Sequence, residues 1–379
     1  MRGGPRRWVG NLLLVLVSVT ITLLGFEALL RFSLPQKLYR FPRGLFRDDP
    51  ELVFSLNPGF QGVLHNPEYT THVRINSLGL RGPLPGPKAP GKLRVLGLGD
   101  SFVSAFNVEE EETFLAVAEH SLREKLPGGG VEIINAGTPN YGTWHELRVL
   151  RRFLPKLEPD TVVLAVYVGN DLEDNLSPRG AVVRDGFLVD RRRPPGILPY
   201  PIRSWLQRNS MAYVFLWNAW NQIRPWLGKA GSDPLRADKD LISPQAPLYV
   251  DEGYRISGDL LHEFHDETMT RGILALVVLI PAEFQVYPDQ FLKMAQRHGD
   301  DPSRFDLDQP SRRWSELAKS AALPVLDLLP VFRSRISGPY LYMSLDGHLT
   351  AEGNRLAGQA IALALIQVLQ RSPSSQGSL

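Results

Sequence analysis

The chain has 379 residues, of which 43% are hydrophobic, and a formal net charge of +2. This length and apolar content are enough for one large domain or two smaller ones with a real core. Basic residues form no dense stripe and no zinc spacing is present, which argues against a nucleic-acid partner. The sequence contains no cysteine, so disulfides, thiolate catalysis and cysteine-ligated zinc are excluded.

A largely apolar run extends from Trp8 to Phe26, and three arginines precede it. Its length is close to the ~20 residues that a membrane-spanning helix needs, whereas a cleaved signal peptide usually has a shorter apolar core. No convincing cleavage site follows, so an uncleaved anchor within residues 1–32 is favoured over a cleaved signal. Because the arginines lie before the span, we expect a cytoplasmic N-terminus and an extracytoplasmic remainder.

Residues 33–92 form a predicted extracytoplasmic lead-in, rich in Pro, Gly and Arg and poor in strands, which packs on the main domain. It ends in the loop sequence "PLPGPKAPGK" (83–92). The main domain is predicted to cover residues 93–371. The tail, residues 372–379, has the composition of a disordered segment.

Apolar strands alternate with helices in the main domain. Strands without polar alternation, separated by helices, indicate a doubly wound α/β fold, in which a parallel sheet is covered on both faces. Ligands bind such folds at the carboxyl ends of the strands. The predicted strands are 93–99, 131–137, 160–169, 273–281 and 323–329, and the helices are 111–126, 144–157 and 351–370.

The third and fourth strands are too far apart for a plain crossover, so residues 176–265 are predicted to be a helical insert. Four of the seven tryptophans lie between residues 203 and 227. This aromatic piece is typical of a core helix, but a lid over the site and a membrane-facing surface stay open as alternatives.

Polar segments follow four of the strands. Gly99-Asp100-Ser101 follows the first strand, "NAGTPNYGT" (135–143) contains the end of the second, and Gly169-Asn170-Asp171 ends the third. Beyond the fifth strand comes "YMSLDGHLTAEGN" (342–354). Because parallel strands end at one edge of the sheet, these segments are predicted to converge there.

Together the segments supply the parts that acyl transfer needs. Ser101 is the candidate nucleophile, His348 the candidate base, and Asp346 the group that would orient and stabilise the imidazole. Negative charge on the oxygen of the tetrahedral intermediate requires converging donors. The Ser101 N–H at a helix start, an N–H of the turn 138–142 and the Asn170 amide are candidates.

In these blocks the sequence resembles the SGNH (GDSL) hydrolase superfamily of serine esterases and acyltransferases. The resemblance covers about residues 93–370, and "RINSLGLRG" (74–82) and "FNVEEEETF" (106–114) look like bacterial membrane-anchored members. It implies a flavodoxin-like five-stranded parallel sheet. The matching blocks, in order, are "GDSF" with Ser101, "NAGTPNYGT", "GND" with Asn170, and "DGHLTAEG" with Asp346 and His348.

The sequence departs from the family pattern near the nucleophile and in the second block. Val103, Ala105 and Asn107 stand where such members often have a Thr and two glycines, and we expect them to change the walls of the site. In the resemblance Asn140 aligns with the glycine whose N–H serves the oxyanion in the family, and Asn tolerates left-handed backbone angles. Gly142 is the alternative donor.

Asp346 and His348 are separated by one residue, whereas the family usually has two. Some relatives work with a Ser–His dyad, in which a backbone carbonyl supports the histidine. A triad and a dyad both stay open at this point.

The predicted function is that of a membrane-anchored, extracytoplasmic serine esterase acting on O-acyl groups, expected to belong to an envelope or exported carbohydrate. An O-acyltransferase with the same triad is the first alternative, and a membrane acyl-donor protein would then be a partner. A catalytically inactive, polysaccharide-binding scaffold is the second. The chemistry requires no metal or organic cofactor, and no nucleic-acid partner is expected.

Overall fold

The computed structural model describes residues 5–36, 38, 41–126, 130–191, 198, 200–223, 236–297 and 299–371. The predicted disordered tail, 372–379, lies outside these residues. The strands are β1 (Phe46–Asp49), β2 (Val53–Leu56), β3 (Gln61–His65), β4 (Thr70–Arg74), β5 (Leu93–Leu98), β6 (Val131–Asn135), β7 (Thr161–Tyr167), β8 (Ala181–Arg184), β9 (Phe187–Asp190), β10 (Leu274–Ile280) and β11 (Val325–Asp327). The helices are α1 (Pro5–Ser33), α2 (Ser101–Ser104), α3 (Phe114–Lys125), α4 (Thr143–Leu157), α5 (Asp171–Leu176), α6 (Tyr200–Asn209), α7 (Met211–Ile223), α8 (Arg236–Ile242), α9 (Leu248–Met269), α10 (Glu283–Val286), α11 (Pro288–Arg297), α12 (Gln309–Ser320), α13 (Leu329–Arg333) and α14 (Ala351–Gln370).

A five-stranded parallel sheet with the order β11-β10-β7-β5-β6 forms the centre of the fold. Numbered along the chain within this sheet, the order is 2-1-3-4-5, the flavodoxin-like arrangement. The predicted doubly wound α/β fold is therefore confirmed. The strand β7 is buried along its length except at Tyr167, because helices cover both faces of the sheet.

Two apolar clusters fill the two faces. One includes side chains of α4, α9 and α12, and the other includes side chains of α3, α13 and α14. The helix α4 shows how the sequence produces this packing: Leu147, Leu150, Leu154 and Leu157 recur at helical spacing, and all are buried.

The lead-in and the insert contain strands that the sequence analysis did not predict. The pairs β1–β2 and β3–β4 each form a two-stranded sheet in the lead-in, so the expectation of a strand-poor segment was wrong. The insert begins with the antiparallel hairpin β8–β9. Its turn holds Asp185 and Gly186 at positive φ values of 52° and 80°, as a tight hairpin turn requires.

The chain divides into two compact units. One comprises residues 1–40, 65–68 and 194–233, and the other comprises 41–64, 69–193 and 234–379. The first unit contains α1, in which an 18-residue window within Trp8–Ser33 has a mean hydropathy of 2.3 and no buried residue. By length and composition this helix can cross a membrane. The second unit contains the parallel sheet and all the predicted site residues.

Candidate active site

The nucleophile candidate lies at the carboxyl end of β5. Gly99 has a φ of 155°, and a Cβ there would meet the Val103 side chain at 2.2 Å and the Ala165 carbonyl oxygen at 2.9 Å. Glycine is therefore required for the chain to turn at this point. Asp100 caps α2 by accepting the Phe102 N–H at 2.8 Å. Ser101, the first residue of α2, is held at the edge of the sheet.

The second part of the site is a tight turn between β11 and α14. Gly347 has a φ of 78°, and the N–H groups of Gly347 and Met343 donate to the carbonyl oxygens of Met343 and His348, both at 2.8 Å. A residue with a side chain is disfavoured at such a φ. The single glycine between Asp346 and His348 thus folds the two side chains toward each other.

The imidazole of His348 joins the two parts. Its Nδ1 lies 2.5 Å from Asp346 Oδ1, and its Nε2 lies 2.8 Å from Ser101 Oγ. The Asp346 side chain is fully buried, while 18% of the His348 side chain is exposed. With Nδ1–H donating to the carboxylate, Nε2 is the acceptor for the serine hydroxyl. The three predicted residues are in direct contact.

The phenylalanine that follows Ser101 packs against the imidazole at a tilt of 36°. The Phe102 ring lies 4.7 Å from the His348 ring, centroid to centroid, and its centroid is 4.1 Å from that of Tyr167. Phe102 is buried, so the ring has little freedom to move. This support could not be predicted, because nothing in "GDSF" distinguishes a phenylalanine that contacts the histidine from a core residue.

Asp100 is the second hydrogen-bond partner of the serine hydroxyl. Its Oδ2 lies 3.3 Å from Ser101 Oγ, whereas His348 Nε2 lies 2.8 Å away. A hydroxyl has one proton to donate, and the shorter contact favours the histidine. Burial raises the pKa of Asp100, and the Phe102 N–H and His348 partly oppose that rise.

The candidate oxyanion donors differ in their surroundings. The Asn170 Nδ2 donates to Asp174 Oδ2 at 3.0 Å, and an amide has a second N–H to offer. Asn140 is exposed and has a left-handed φ of 64°. This is a conformation that glycine adopts readily, in agreement with the glycine expected at this position in the family. Gly142 N–H faces the His145 Nδ1 at 3.4 Å. Within the described part of the chain, none of the three hydrogen-bonds to Ser101.

The residues that depart from the family pattern are buried. Val103, Ala105 and Asn107 are 1–3% exposed and follow Ser101 in the sequence, so their effect on the walls of the site stays a prediction. Ala105 ends α2 with a left-handed φ of 46°, which explains why glycine suits this position in relatives.

Buried titratable groups lie in the elements that carry the site. Burial raises the pKa values of Glu146 and Asp171 well above their ordinary range, and Asp100 raises both further. His145 stacks on Tyr141 with ring centroids 4.5 Å apart, and burial lowers its pKa to about 3. Among the described residues, no group of three or more His, Cys, Asp and Glu side chains could hold a metal ion.

A hydroxyl, an imidazole and a carboxylate in contact at the carboxyl edge of a parallel sheet define the class: an α/β enzyme that acts as an esterase or an acyltransferase. Over residues 251–377 the chain is similar to SGNH hydrolase-like domains. A family model described as "SGNH hydrolase-like domain, acetyltransferase AlgX" matches residues 251–377, one third of the chain. The matched region contains Asp346 and His348 and begins after Ser101 and Asn170.

Solved structures resemble the chain at low identity. TesA is 12% identical, with 73% of this chain and 99% of TesA covered and a TM-score of 0.40. The acetyl xylan esterase AlAXEase is 15% identical, with 72% of this chain and all of that chain covered and a TM-score of 0.40. Axe2, an acetylxylan esterase from Geobacillus stearothermophilus, is 12% identical, with 73% and 95% covered and a TM-score of 0.38. Such low values say nothing about the substrate of this chain. In the search of curated proteins, no sequence matched significantly.

Proposed function

We propose that this protein is a serine esterase that removes O-acyl groups from an envelope or exported carbohydrate. The observation that carries the proposal is the continuous contact from Ser101 Oγ through His348 to Asp346, at 2.8 and 2.5 Å. Serine is a weak nucleophile unless a neighbouring base removes its proton, and this contact supplies the base.

The proposed first half-reaction forms an acyl-enzyme. Ser101 Oγ attacks the ester carbonyl while His348 Nε2 takes the hydroxyl proton, and the buried Asp346 carboxylate stabilises the resulting imidazolium. The Ser101 N–H, the Asn140 N–H and the Asn170 amide would stabilise the oxyanion. Gly142 is the weaker candidate, because its N–H already faces His145 Nδ1. His348 then returns the proton to the departing alcohol.

The second half-reaction distinguishes the esterase from the first alternative, an O-acyltransferase. Water as acceptor gives hydrolysis, whereas a sugar hydroxyl in a water-excluding site gives transfer. The family model that matches residues 251–377 is described as an acetyltransferase. This supports the transferase as the alternative and an acetyl group as the group transferred. The ratio of acylated sugar to free acid, measured with an aryl acetate and an oligosaccharide acceptor, separates the two.

The apolar helix α1 supports membrane anchoring. Its uncharged run is long enough to span a bilayer, and we propose that it holds the enzyme in the membrane with the larger unit outside the cytoplasm. Retention of the full chain in membranes after alkaline carbonate extraction is the expected result. Release into the supernatant would contradict the anchor without affecting the proposed chemistry.

A fluorophosphonate probe and an aryl acetate assay test the enzyme directly on the full chain. We expect labelling at Ser101 and ester cleavage, both lost in Ser101→Ala and His348→Ala. Ser320→Ala and His120→Ala, at exposed positions on α12 and α3, are the matched controls and should retain activity. The inactive scaffold would be supported instead if the folded wild-type chain is not labelled by the probe, cleaves no short ester and transfers no acyl group.

A further inference from the structure

The helices α6 and α7 carry large apolar side chains that the described chain leaves exposed. Their exposed fractions range from 45% to 58%. The two on α6 are three residues apart, and on α7 Trp220 lies three and four residues after Trp217 and Leu216, so within each helix they lie on one side. Exposed apolar groups of this size mark a surface that meets a partner or a membrane. We call this the aromatic surface: Ile202 and Trp205 on α6, and Leu216, Trp217 and Trp220 on α7.

A polar cap fixes the start of α7 to the last turns of α1. The Glu27 carboxylate accepts the N–H groups of Met211 and Ala212, at 3.0 and 2.9 Å. These N–H groups belong to the first turn of α7 and have no partner within their own helix. Arg31 binds Glu27 at 2.7 Å and donates to the Asn209 carbonyl oxygen at 2.6 Å. Glu27 and Arg31, the charged pair in the last turns of α1, are therefore neutralised where they meet α7.

Apolar packing holds the same junction. The rings of Phe26 and Phe215 lie 5.8 Å apart with an interplanar angle of 78°, an edge-to-face contact. Leu30 packs with Met211 and Ala212 in one small cluster. The first turns of α7 thus lie at the level of Phe26 to Leu30 along α1.

The length of α1 sets where that level falls in a bilayer. The uncharged run from Trp8 to Phe26 would span about 28 Å as a helix, which matches the ~30 Å thickness of the hydrocarbon core. Phe26 then lies at the outer boundary of the hydrocarbon, and the start of α7 lies beside it. The start of the helix that carries Leu216, Trp217 and Trp220 therefore lies beside the outer end of the apolar run of α1.

We propose that α6 and α7 lie in the outer membrane–water interface and place the aromatic surface among the lipids. This inference rests on the proposed anchoring by α1. The helix α7 has 13 residues and no acidic or basic side chain, which is too short to span a bilayer and typical of an interfacial segment. Tryptophan is enriched at this depth because its ring is apolar and its N–H is polar. The membrane thus contacts the enzyme through a second element besides its anchor.

The absence of native cysteine allows a direct test on the full chain. A single cysteine replaces Leu216, and an environment-sensitive fluorophore is attached to it. The labelled chain is then placed in phosphatidylcholine vesicles that contain nitroxide-labelled lipid. We expect the nitroxide lipid to quench the fluorophore and aqueous iodide not to quench it. The matched control is Leu363→Cys on α14 in the larger unit, since both leucines are 53% exposed. It should show the opposite pattern.

A third variant separates failure of this inference from failure of the anchor. Leu24→Cys reports on α1 itself. Lipid quenching at Leu24 together with iodide quenching at Leu216 would overturn the interfacial placement and leave the anchor intact. Iodide quenching at both positions would overturn both the interfacial placement and the membrane anchor. Protection of Leu216 from both quenchers would show that protein covers the surface, and this result also overturns the proposal. Trp220→Cys, at a second position on α7, must give the same pattern as Leu216→Cys.

Discussion

The side-chain amide of Asn107 donates a hydrogen bond to the carbonyl oxygen of Leu349, 2.7 Å away, across 242 positions of sequence. This bond links the segment that follows Ser101 to the residue that follows His348. Asn107 stands where relatives often have a glycine, which has no side chain to make the contact. In this chain the proposed nucleophile and base are thus held in register by a bond that the common family pattern lacks.

Replacing Asn107 by leucine, which has a similar volume and no donor, should lower kcat by roughly ten- to a hundredfold, because small displacements of reacting groups cost that much. The Leu349 carbonyl oxygen keeps one donor, Asn354 Nδ2 at 3.2 Å, so the fold should survive. Aryl acetate kinetics with thermal unfolding as a check measure the effect. Asn57→Leu removes a comparable bond, to the Gly44 carbonyl oxygen, away from the site and should leave kcat unchanged.

Asp346→Asn tests whether the carboxylate is part of the mechanism. The amide keeps the size of the side chain but can no longer hold the Nδ1–H tautomer of His348, so kcat should fall by on the order of 10³- to 10⁴-fold. Asp259→Asn, a change at an exposed residue of α9, is the control. If Asp346→Ala turns over at a near-normal rate, the Ser–His dyad replaces the triad.

Asn170→Ala should reduce kcat by on the order of 10²- to 10³-fold with little change in KM, because an oxyanion donor acts in the transition state. Asn170→Asp is equally informative, since it keeps the shape, removes both N–H donors and places an acid beside Asp174. We expect it to be at least as slow as the alanine variant. Rates close to wild type in both would remove Asn170 from the oxyanion site.

The sheet could be predicted because its strands are continuous apolar runs. The run ending at Leu98 and the one ending at Tyr167 are buried on both faces, and each is followed by polar residues at the sheet edge. The contact of Ser101 with His348 follows from that topology, because parallel strands and the turn before α14 end at one edge. Their catalytic roles stay a prediction.

Short strands and long-range polar contacts could not be predicted. The strands β8 and β9 have four residues each, and the Gly and Pro residues around them indicated loops. The bond of Asn107 to Leu349 joins residues whose distance in space depends on the finished fold. Sequence patterns report periodicity and turns, whereas such bonds depend on tertiary packing.

Arg81, from the lead-in, should matter for the geometry of the nucleophile. It is buried, donates to the carbonyl oxygens of Ser104 and Val108, and thereby places a cation at the end of α2 opposite Ser101. Burial lowers its pKa to about 10, which leaves it charged at neutral pH. Arg81→Lys keeps the charge but cannot bridge both oxygens, so the free energy of unfolding should fall by about 1–3 kcal/mol.

Fluorophosphonate labelling of Ser101 should also be slower in Arg81→Lys, measured under conditions where the variant is fully folded. Arg74→Lys is the control, because Arg74 makes an exposed ion pair with Glu110, worth less than about 1 kcal/mol. Equal unfolding free energies for the two variants would show that the bridging contact of Arg81 adds nothing to stability.

The buried carboxyl of Glu146 should make stability fall as the pH rises. Within the described residues its two oxygens have no hydrogen-bond partner, and burial, with Asp100 and Asp174 nearby, raises its pKa well above the ordinary value. The folded chain therefore keeps a proton that the unfolded chain releases above a pH of about 4.3. The associated stability is fully present below that pH and is lost, by up to about 1.4 kcal/mol per pH unit, as the pH rises toward the folded pKa.

The Glu146→Gln side chain cannot release this proton. In urea unfolding at pH 5, 6 and 7, the free energy of unfolding of the variant should therefore rise relative to that of wild type at each step. Glu173→Gln, an exposed position on α5, should follow the wild-type curve. The charge of Glu146 also raises the pKa of Asp171, so the widening difference reports Glu146 together with its effect on that neighbour. Parallel curves for wild type and Glu146→Gln would mean that Glu146 is already ionised in the folded state over this range, which would require partners for its two oxygens.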